Sequence, residues 1–240
     1  SALLGRYMDS LNYPLDIYIP DRITEGYGMN FDALKKIKDS GASLVISVDS
    51  GTTSFKTISE SKKLDLDIII IDHHVSHANL PEVHALVNPN RIDEEINELN
   101  SLAAVGVTFL LVIAVNRLLR SKGWFKNLKE PDLKSFLDLV ALGTICDIMP
   151  LNKINRTLVK KGLEVIAKRS NPGITAISDL SKINQKLDSF HLGFIIGPRV
   201  NAGGRVGESS LGSKILRTND FYEANEIASK LDLYNSERKK

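Results

Sequence analysis

Residues 68–71 are four consecutive isoleucines, and they run without a break into Asp72-His73-His74. β-branched side chains crowd a helix and fit a pleated strand, and an apolar run without polar alternation suits a strand covered on both faces of a parallel sheet. Such a strand must present an acid and two imidazoles at its carboxyl end, where open α/β sheets place their ligands. Carboxylate beside imidazole is also a ligand mixture that Mn²⁺, Fe²⁺ or Zn²⁺ accepts. Val45-Ile46-Ser47-Val48-Asp49-Ser50-Gly51 follows the same logic, an apolar strand ending in an acid and a small-residue turn. Neighbouring parallel strands lie about 4.8 Å apart, so Asp49 and the 72–74 triplet can converge on one ion. The plainer reading of Asp49 is that it caps the helix beginning nearby.

Strand-like and helix-like segments alternate through the first half, the pattern of βαβ units. Strands are expected at 15–19, 44–48, 68–71 and 85–87, with helices at 30–40 and from about 53 to 63. The chain then turns helical, at 102–121, at 132–146, and at 155–169 from a cap at Asn155. Residues 171–189 read as mixed and polar, 191–197 as short and apolar, and a last helix runs from about Asp220 to the end. The fold class is therefore α/β: a mainly parallel sheet flanked by helices, followed by a helical region and a connecting helix. Residues 1–219 are expected to form the core and 220–240 the start of the connecting helix.

With 42% apolar residues in 240, the chain can bury a full core as one large domain or two smaller ones. A net charge of +2 permits a nucleic-acid partner without requiring one. Cys146 is the single cysteine, which excludes an intramolecular disulfide and a cysteine zinc cluster and fits a reducing compartment, the cytoplasm. No apolar run reaches the roughly 20 residues of a membrane span. The longest, 102–115, is interrupted by Gly106 and Thr108 and reads as a buried helix. The chain opens without Met in what reads as mid-helix and ends in a charged helix, as a piece of a larger protein would.

Asp147 stands among apolar neighbours, between Leu139–Cys146 and Ile148-Met149, where a carboxylate needs a partner or a metal. Its plainer role is a structural salt bridge, and that of Cys146 a small core residue. His77 and His84 read as loop or strand-edge residues, His191 as a capping or core histidine. Gly197-Pro198-Arg199-Val200-Asn201-Ala202-Gly203-Gly204-Arg205 sets two arginines around small residues, as a loop that holds an anion does. Ile19-Pro20-Asp21-Arg22-Ile23-Thr24-Glu25-Gly26-Tyr27-Gly28 has similar character. The basic helix at 155–169 reads as a solvated face.

Together these motifs resemble the DHH phosphoesterase superfamily and, within it, the RecJ group of single-strand-specific exonucleases. Val48-Asp49-Ser50-Gly51, Asp72-His73-His74 and Gly143-Thr144-Ile145-Cys146-Asp147 match three superfamily motifs in turn. The stretch from Ile19 to Gly28, Val87-Asn88-Pro89-Asn90-Arg91, and Ile196 to Arg205 favour the RecJ group over relatives acting on small nucleotides. The resemblance spans essentially the whole chain.

The resemblance implies metal-dependent hydrolysis of single-stranded DNA from the 5′ end, in DNA repair and recombination, by a monomer away from any membrane and in reach of other repair proteins. It implies Mn²⁺, or else Mg²⁺, with two ions in the intact family site. Asp49 would bridge the ions, His73 and Asp147 would hold one of them, Asp72 would orient His73, and His74 would sit by the scissile phosphate as a catalytic group. Arg22, Arg199, Asn201 and Arg205 would hold the nucleic-acid backbone. The group's first Asp-x-Asp strand and its carboxy-terminal DHH-associated domain are not found in this sequence, so weak or no activity is expected of these 240 residues alone. The alternatives are a DHH phosphodiesterase or pyrophosphatase of small nucleotides, and a non-catalytic single-stranded-DNA-binding relative.

Overall fold

The computed structural model describes residues 1–22, 24–26 and 28–238; Ile23 and Tyr27 of the 19–28 loop, and residues 239 and 240, lie outside the described residues. Three strands, β1 (Leu44–Val48), β2 (Asp67–Ile71) and β3 (Ala85–Val87), form a parallel sheet in the order β1-β2-β3. In chain order the helices are α1 (Ala2–Ser10), α2 (Phe31–Asp39), α3 (Phe55–Ser61), α4 (Ala104–Ser121), α5 (Leu137–Cys146), α6 (Lys153–Ile166) and α7 (Pro172–Leu180). Four more follow a π-helical turn at His191–Ile196: the short α8 (Gly197–Val200) and α9 (Gly203–Val206), then α10 (Leu211–Arg217) and α11 (Phe221–Glu237). By packing the chain divides into a sheet unit, Pro20–Thr108, and a helical unit made of Ser1–Ile19 and Phe109–Lys240.

In the sheet unit, the isoleucine run behaves as its composition requires. Ile68 and Ile70 bury with Leu34 of α2 and Ile58 of α3, and Val45, Leu64, Leu66, Val83 and Leu86 pack around them. Ile71 is buried as well, whereas Ile69 is only half-buried. Each fully buried isoleucine contributes about 2–3 kcal/mol by leaving water. Asn30 caps α2 by accepting the Ala33 N–H at 2.8 Å, the Ncap role expected of its side chain. The register is Val45 opposite Ile68 and Val48 opposite Ile71. The residues that leave the two strands, Asp49 and Asp72, therefore emerge side by side.

In the helical unit, α5 packs along α6, and α7 packs on α10 and α11. Ala224, Ile227, Ala228 and Leu231 of α11 are buried there. α4 runs 18 residues and is apolar and long enough to cross a membrane by length and composition alone, more than the interrupted 102–115 stretch suggests. Its Asn116 is nonetheless buried inside protein, accepting from the Tyr7 hydroxyl at 3.3 Å and donating to Glu130 at 2.7 Å.

Several elements differ from the expectation. Residues 15–19 form no strand: the Leu15 carbonyl accepts from Arg217 at 2.9 Å and the Ile19 carbonyl from the Ser209 hydroxyl at 3.0 Å. Side chains satisfy those two carbonyls in place of a neighbouring strand. The 155–169 helix begins earlier, capped by Asn152, while Asn155 is buried and donates to the Pro150 carbonyl at 2.9 Å. Polar-looking 171–189 contains the buried helix α7, capped by Asn171 with Pro172 in its first turn. Gly197–Arg205 is two helical turns rather than an open loop. A Cβ on Gly197 would strike the Cys146 sulfur, and one on Gly203 would come within 2.7 Å of the Glu208 carbonyl. Those two glycines serve close packing.

Candidate metal centre

Asp49 leaves β1 in the left-handed region, at φ +67°, which an Asp tolerates better than most residues. Its N–H donates to the Ile71 carbonyl at 2.9 Å, extending the β1–β2 ladder by one rung and fixing the carboxylate beside the end of β2. Asp49 Oδ1 lies 3.3 Å from His73 Nε2. Ligand atoms of Asp49, His73 and His74 all fall within 4.8 Å of one another, close enough to hold one cation. His73 is 9% exposed, against 58% for the Asp49 side chain and 52% for that of His74. The cluster thus has a dry inner ligand and two solvent-facing ones.

Asp72 is 1% exposed. Burial alone would raise its pKa, but hydrogen bonds from the Thr52 hydroxyl, the His74 ring, and the Thr52 and His73 N–H groups outweigh it and hold the carboxyl below its usual range. Oδ1 takes the His73 N–H at 2.8 Å and His74 Nδ1 at 2.7 Å, and Oδ2 takes the Thr52 N–H at 3.1 Å. The ring that Asp72 contacts is that of His74, and Asp72 also accepts the His73 N–H, the chain turning back so that the second imidazole meets the carboxylate. With Nδ1 so engaged, Nε2 is the His74 nitrogen left to face a ligand. A carboxylate and two imidazoles suit Mn²⁺, Fe²⁺ or Zn²⁺ better than the all-oxygen shell Ca²⁺ prefers.

Asn88 and Asn90, which follow β3, hold the turn from the other side. Asn88 Nδ2 donates to the His74 carbonyl at 2.8 Å, and Asn90 Nδ2 donates to the His73 carbonyl at 2.5 Å. Sequence reasoning singled out the 87–91 motif without giving these residues work, and it missed Thr52. The available signal was the pair of amides straddling Pro89 directly after a strand.

Arg22 is exposed on the loop before α2. Asp147 is the C-cap of α5 and exposed, so it carries none of the burial cost its apolar neighbours suggested: Ile148, at φ +56°, turns outward with it. Cys146 is the packed residue, its thiol pushed up to about 11 by burial and by adjacent Asp147. Arg199 is bound within the helical unit, its Nε 2.8 Å from Asp232 and its Nη1 donating to the Ile195 carbonyl at 2.9 Å. Asn201 and Arg205 are exposed on the α8 and α9 turns. His191 is buried, with Nδ1 2.6 Å from Asp188 and Nε2 2.9 Å from Gln185.

A parallel sheet whose carboxyl rim gathers a carboxylate and two imidazoles defines an α/β protein with a candidate divalent-metal centre. The chain belongs to the DHH family: residues 1–144 match the model of the DHH family, N-terminal domain, as the resemblance implied. The single-stranded-DNA-specific exonuclease RecJ of Salmonella typhimurium is 40% identical over 235 residues, covering 96% of this chain and 40% of that protein. RecJ of Bacillus subtilis is 36% identical over 245 residues, covering 100% of this chain and 29% of that protein. The chain therefore spans about two-fifths or less of these relatives' length. Among solved structures, an exonuclease RecJ bound to manganese superposes with a TM-score of 0.85 at 29% identity, covering 99% of this chain and 58% of that one. RecJ of Thermus thermophilus in complex with Mn²⁺ gives 0.80 at 27% identity, covering 99% of this chain and 33% of that one.

Proposed function

We propose that this chain is the catalytic core of a divalent-metal exonuclease that hydrolyses single-stranded DNA from the 5′ end, acting in DNA repair and recombination. The observation that carries the reading is the convergence of Asp49, His73 and His74 within 4.8 Å at the sheet's carboxyl rim, in a chain similar to exonucleases seen with manganese. Mn²⁺, with Mg²⁺ as second choice, would supply charge stabilisation at the phosphoryl oxygens and a hydroxide near neutral pH. Two ions fill the proposed intact site.

On this reading, Asp49 and His73 hold metal, and the family motif adds Asp147. Asp72 stays ionised and buried, fixing His74 so that Nε2 faces either an ion or the scissile phosphate. Arg22, Asn201 and Arg205 offer exposed groups to the nucleic-acid backbone, while the guanidinium of Arg199 acts from a position already braced by Asp232. A monomer in the cytoplasm is part of the same proposal.

The test is Mn²⁺-dependent release of nucleotides by the full-length encoded protein from 5′-labelled single-stranded DNA, with 3′-labelled and duplex DNA as comparisons. Loss of that release in Asp49→Asn and His73→Ala is expected. Cleavage that ignores metal, or that treats single and double strands alike, would overturn the reading.

A further inference from the structure

We infer that Phe190 and Phe194 form a stacking platform for unpaired nucleobases, on the turn that leads into Arg199. The inner side of this segment is pinned to α5. Leu192 and Ile196 are fully buried, and the Leu192 carbonyl accepts from Cys146 Sγ at 3.7 Å. A Cβ on Gly193 would stand 3.3 Å from Ile145, and Gly197 presses on Cys146. His191–Ile196 is wound as a π-helix, a rare form that recurs at functional sites. Phe190 and Phe194 share its outer side, where they are 57% and 73% exposed. Burial gives no reason for two phenyl rings there, and large exposed apolar groups side by side mark a binding surface.

The rings are stacked on each other, with centroids 5.1 Å and planes 28° apart. The edge of the buried His191 ring steadies Phe190, at 5.9 Å and 86°, and His191 is itself held by Asp188 and Gln185. Phe194, the more exposed ring, is thus the end of a short, preorganised stack. A flat base continues such a stack, whereas an aliphatic side chain gains nothing from near-parallel rings. Every base has a π-face, so the platform is indifferent to sequence; in a duplex both faces of a base are already covered. Charge agrees with this occupant. Arg199 Nη1 donates to the Ile195 carbonyl at 2.9 Å, which sets a guanidinium at the residue next to Phe194, where it attracts the phosphate of a stacked nucleotide. The inference rests on the single-stranded-DNA reading above and adds to it the residues that discriminate single strands from duplex.

The test measures binding by the full-length encoded protein, in chelator so that nothing is cut, of two fluorescent strands of equal length. One is oligothymidylate; the other is an abasic strand that keeps the phosphates and has no bases. Phe194→Leu keeps apolar bulk and loses the ring. It is expected to weaken oligothymidylate binding about fivefold or more while abasic-strand and duplex binding stay unchanged. Phe194→Tyr is expected to bind oligothymidylate as the unsubstituted protein does. Phe190→Leu acts in the same direction as Phe194→Leu and decides the matter if Phe194→Leu fails to fold. Equal losses on both strands, or no loss on either, would overturn the inference. No loss together with a lowered unfolding midpoint would also overturn it and assign the rings to a contact with protein. An unsubstituted protein that binds no oligothymidylate would overturn the proposed function as well, whereas binding that Phe194→Leu leaves intact would overturn this inference alone.

Discussion

Asp49 Oδ1 stands 3.3 Å from His73 Nε2 although the two residues leave different strands. Their meeting depends on the β1–β2 register, Val48 opposite Ile71, and on the single rung donated by the Asp49 N–H. Asp49 holds a left-handed backbone, so alanine there would add strain of about 1 kcal/mol and confuse the result. Asn tolerates that conformation and removes only the charge. Asp49→Asn is expected to lower Mn²⁺ affinity at least about tenfold, measured by calorimetry, with an unfolding midpoint close to that of the unsubstituted chain.

Asp138 gives the clearest pH dependence. Burial raises its pKa, against the opposing pull of Arg6, the Leu139 N–H and Asn171. A raised folded-state value means that its contribution to stability is complete below the unfolded carboxyl range and is lost as pH rises through the folded value. Arg6, 3.5 Å away, limits that loss. Arg6→Met should therefore destabilise the chain by about 2 kcal/mol at neutral pH and by much less near pH 4. Urea unfolding at the two pH values checks it, and an equal loss at both would show that Arg6 acts through packing alone.

Both strand-end acids and the imidazole pair were legible in the sequence because apolar runs of four or five residues have few alternatives to a buried parallel strand. Helix α7 was not legible: Thr175 and Ser178 are polar in sequence yet buried in the fold, so the amphipathic signal vanishes. The Ser178 hydroxyl satisfies itself on the Ile174 carbonyl at 2.6 Å, a solution no spacing rule reveals. The Gly197–Arg205 stretch misled for a related reason. Glycine marks both loops and close contacts, and only coordinates separate Gly197, pressed on Cys146, from a flexible hinge. The importance of Asp72 is legible, but its contact with the His74 ring follows from a turn held by Asn88 and Asn90.

Cys146 tests the environment of Asp147. Burial first, and the Asp147 charge second, push the thiol up from 9.0 to about 11. Below both values a thiol so placed holds about a hundredfold less thiolate than an unfolded one, and thiolate is the reactive form. Iodoacetamide labelling of the folded chain at mildly alkaline pH should be slower than that of the urea-unfolded chain by about that factor. Asp147→Asn should speed labelling only modestly, since Asp147 is solvent-exposed and its charge is screened.

Two glycines separate packing from binding. A Cβ on Gly162 of α6 would fall on the Leu137 carbonyl oxygen and the Ala141 side chain of the facing helical segment, both held in place. Gly162→Ala should cost about 3 kcal/mol by forcing α5 and α6 apart. Gly204, in the α9 turn, has nothing within 4 Å of where its Cβ would stand and has no left-handed backbone to preserve. Gly204→Ala is expected to leave the unfolding midpoint unchanged or raise it, by up to about 1 kcal/mol of stability. Packing therefore gives no reason for glycine at 204, and the proposed approach of a nucleic-acid backbone would supply one. If Arg205 and Asn201 flank such an approach, Gly204→Ala should weaken binding of a fluorescent single-stranded oligonucleotide severalfold while the fold is intact. Unchanged oligonucleotide affinity in a stable Gly204→Ala chain would remove this stretch from the proposed DNA-binding surface.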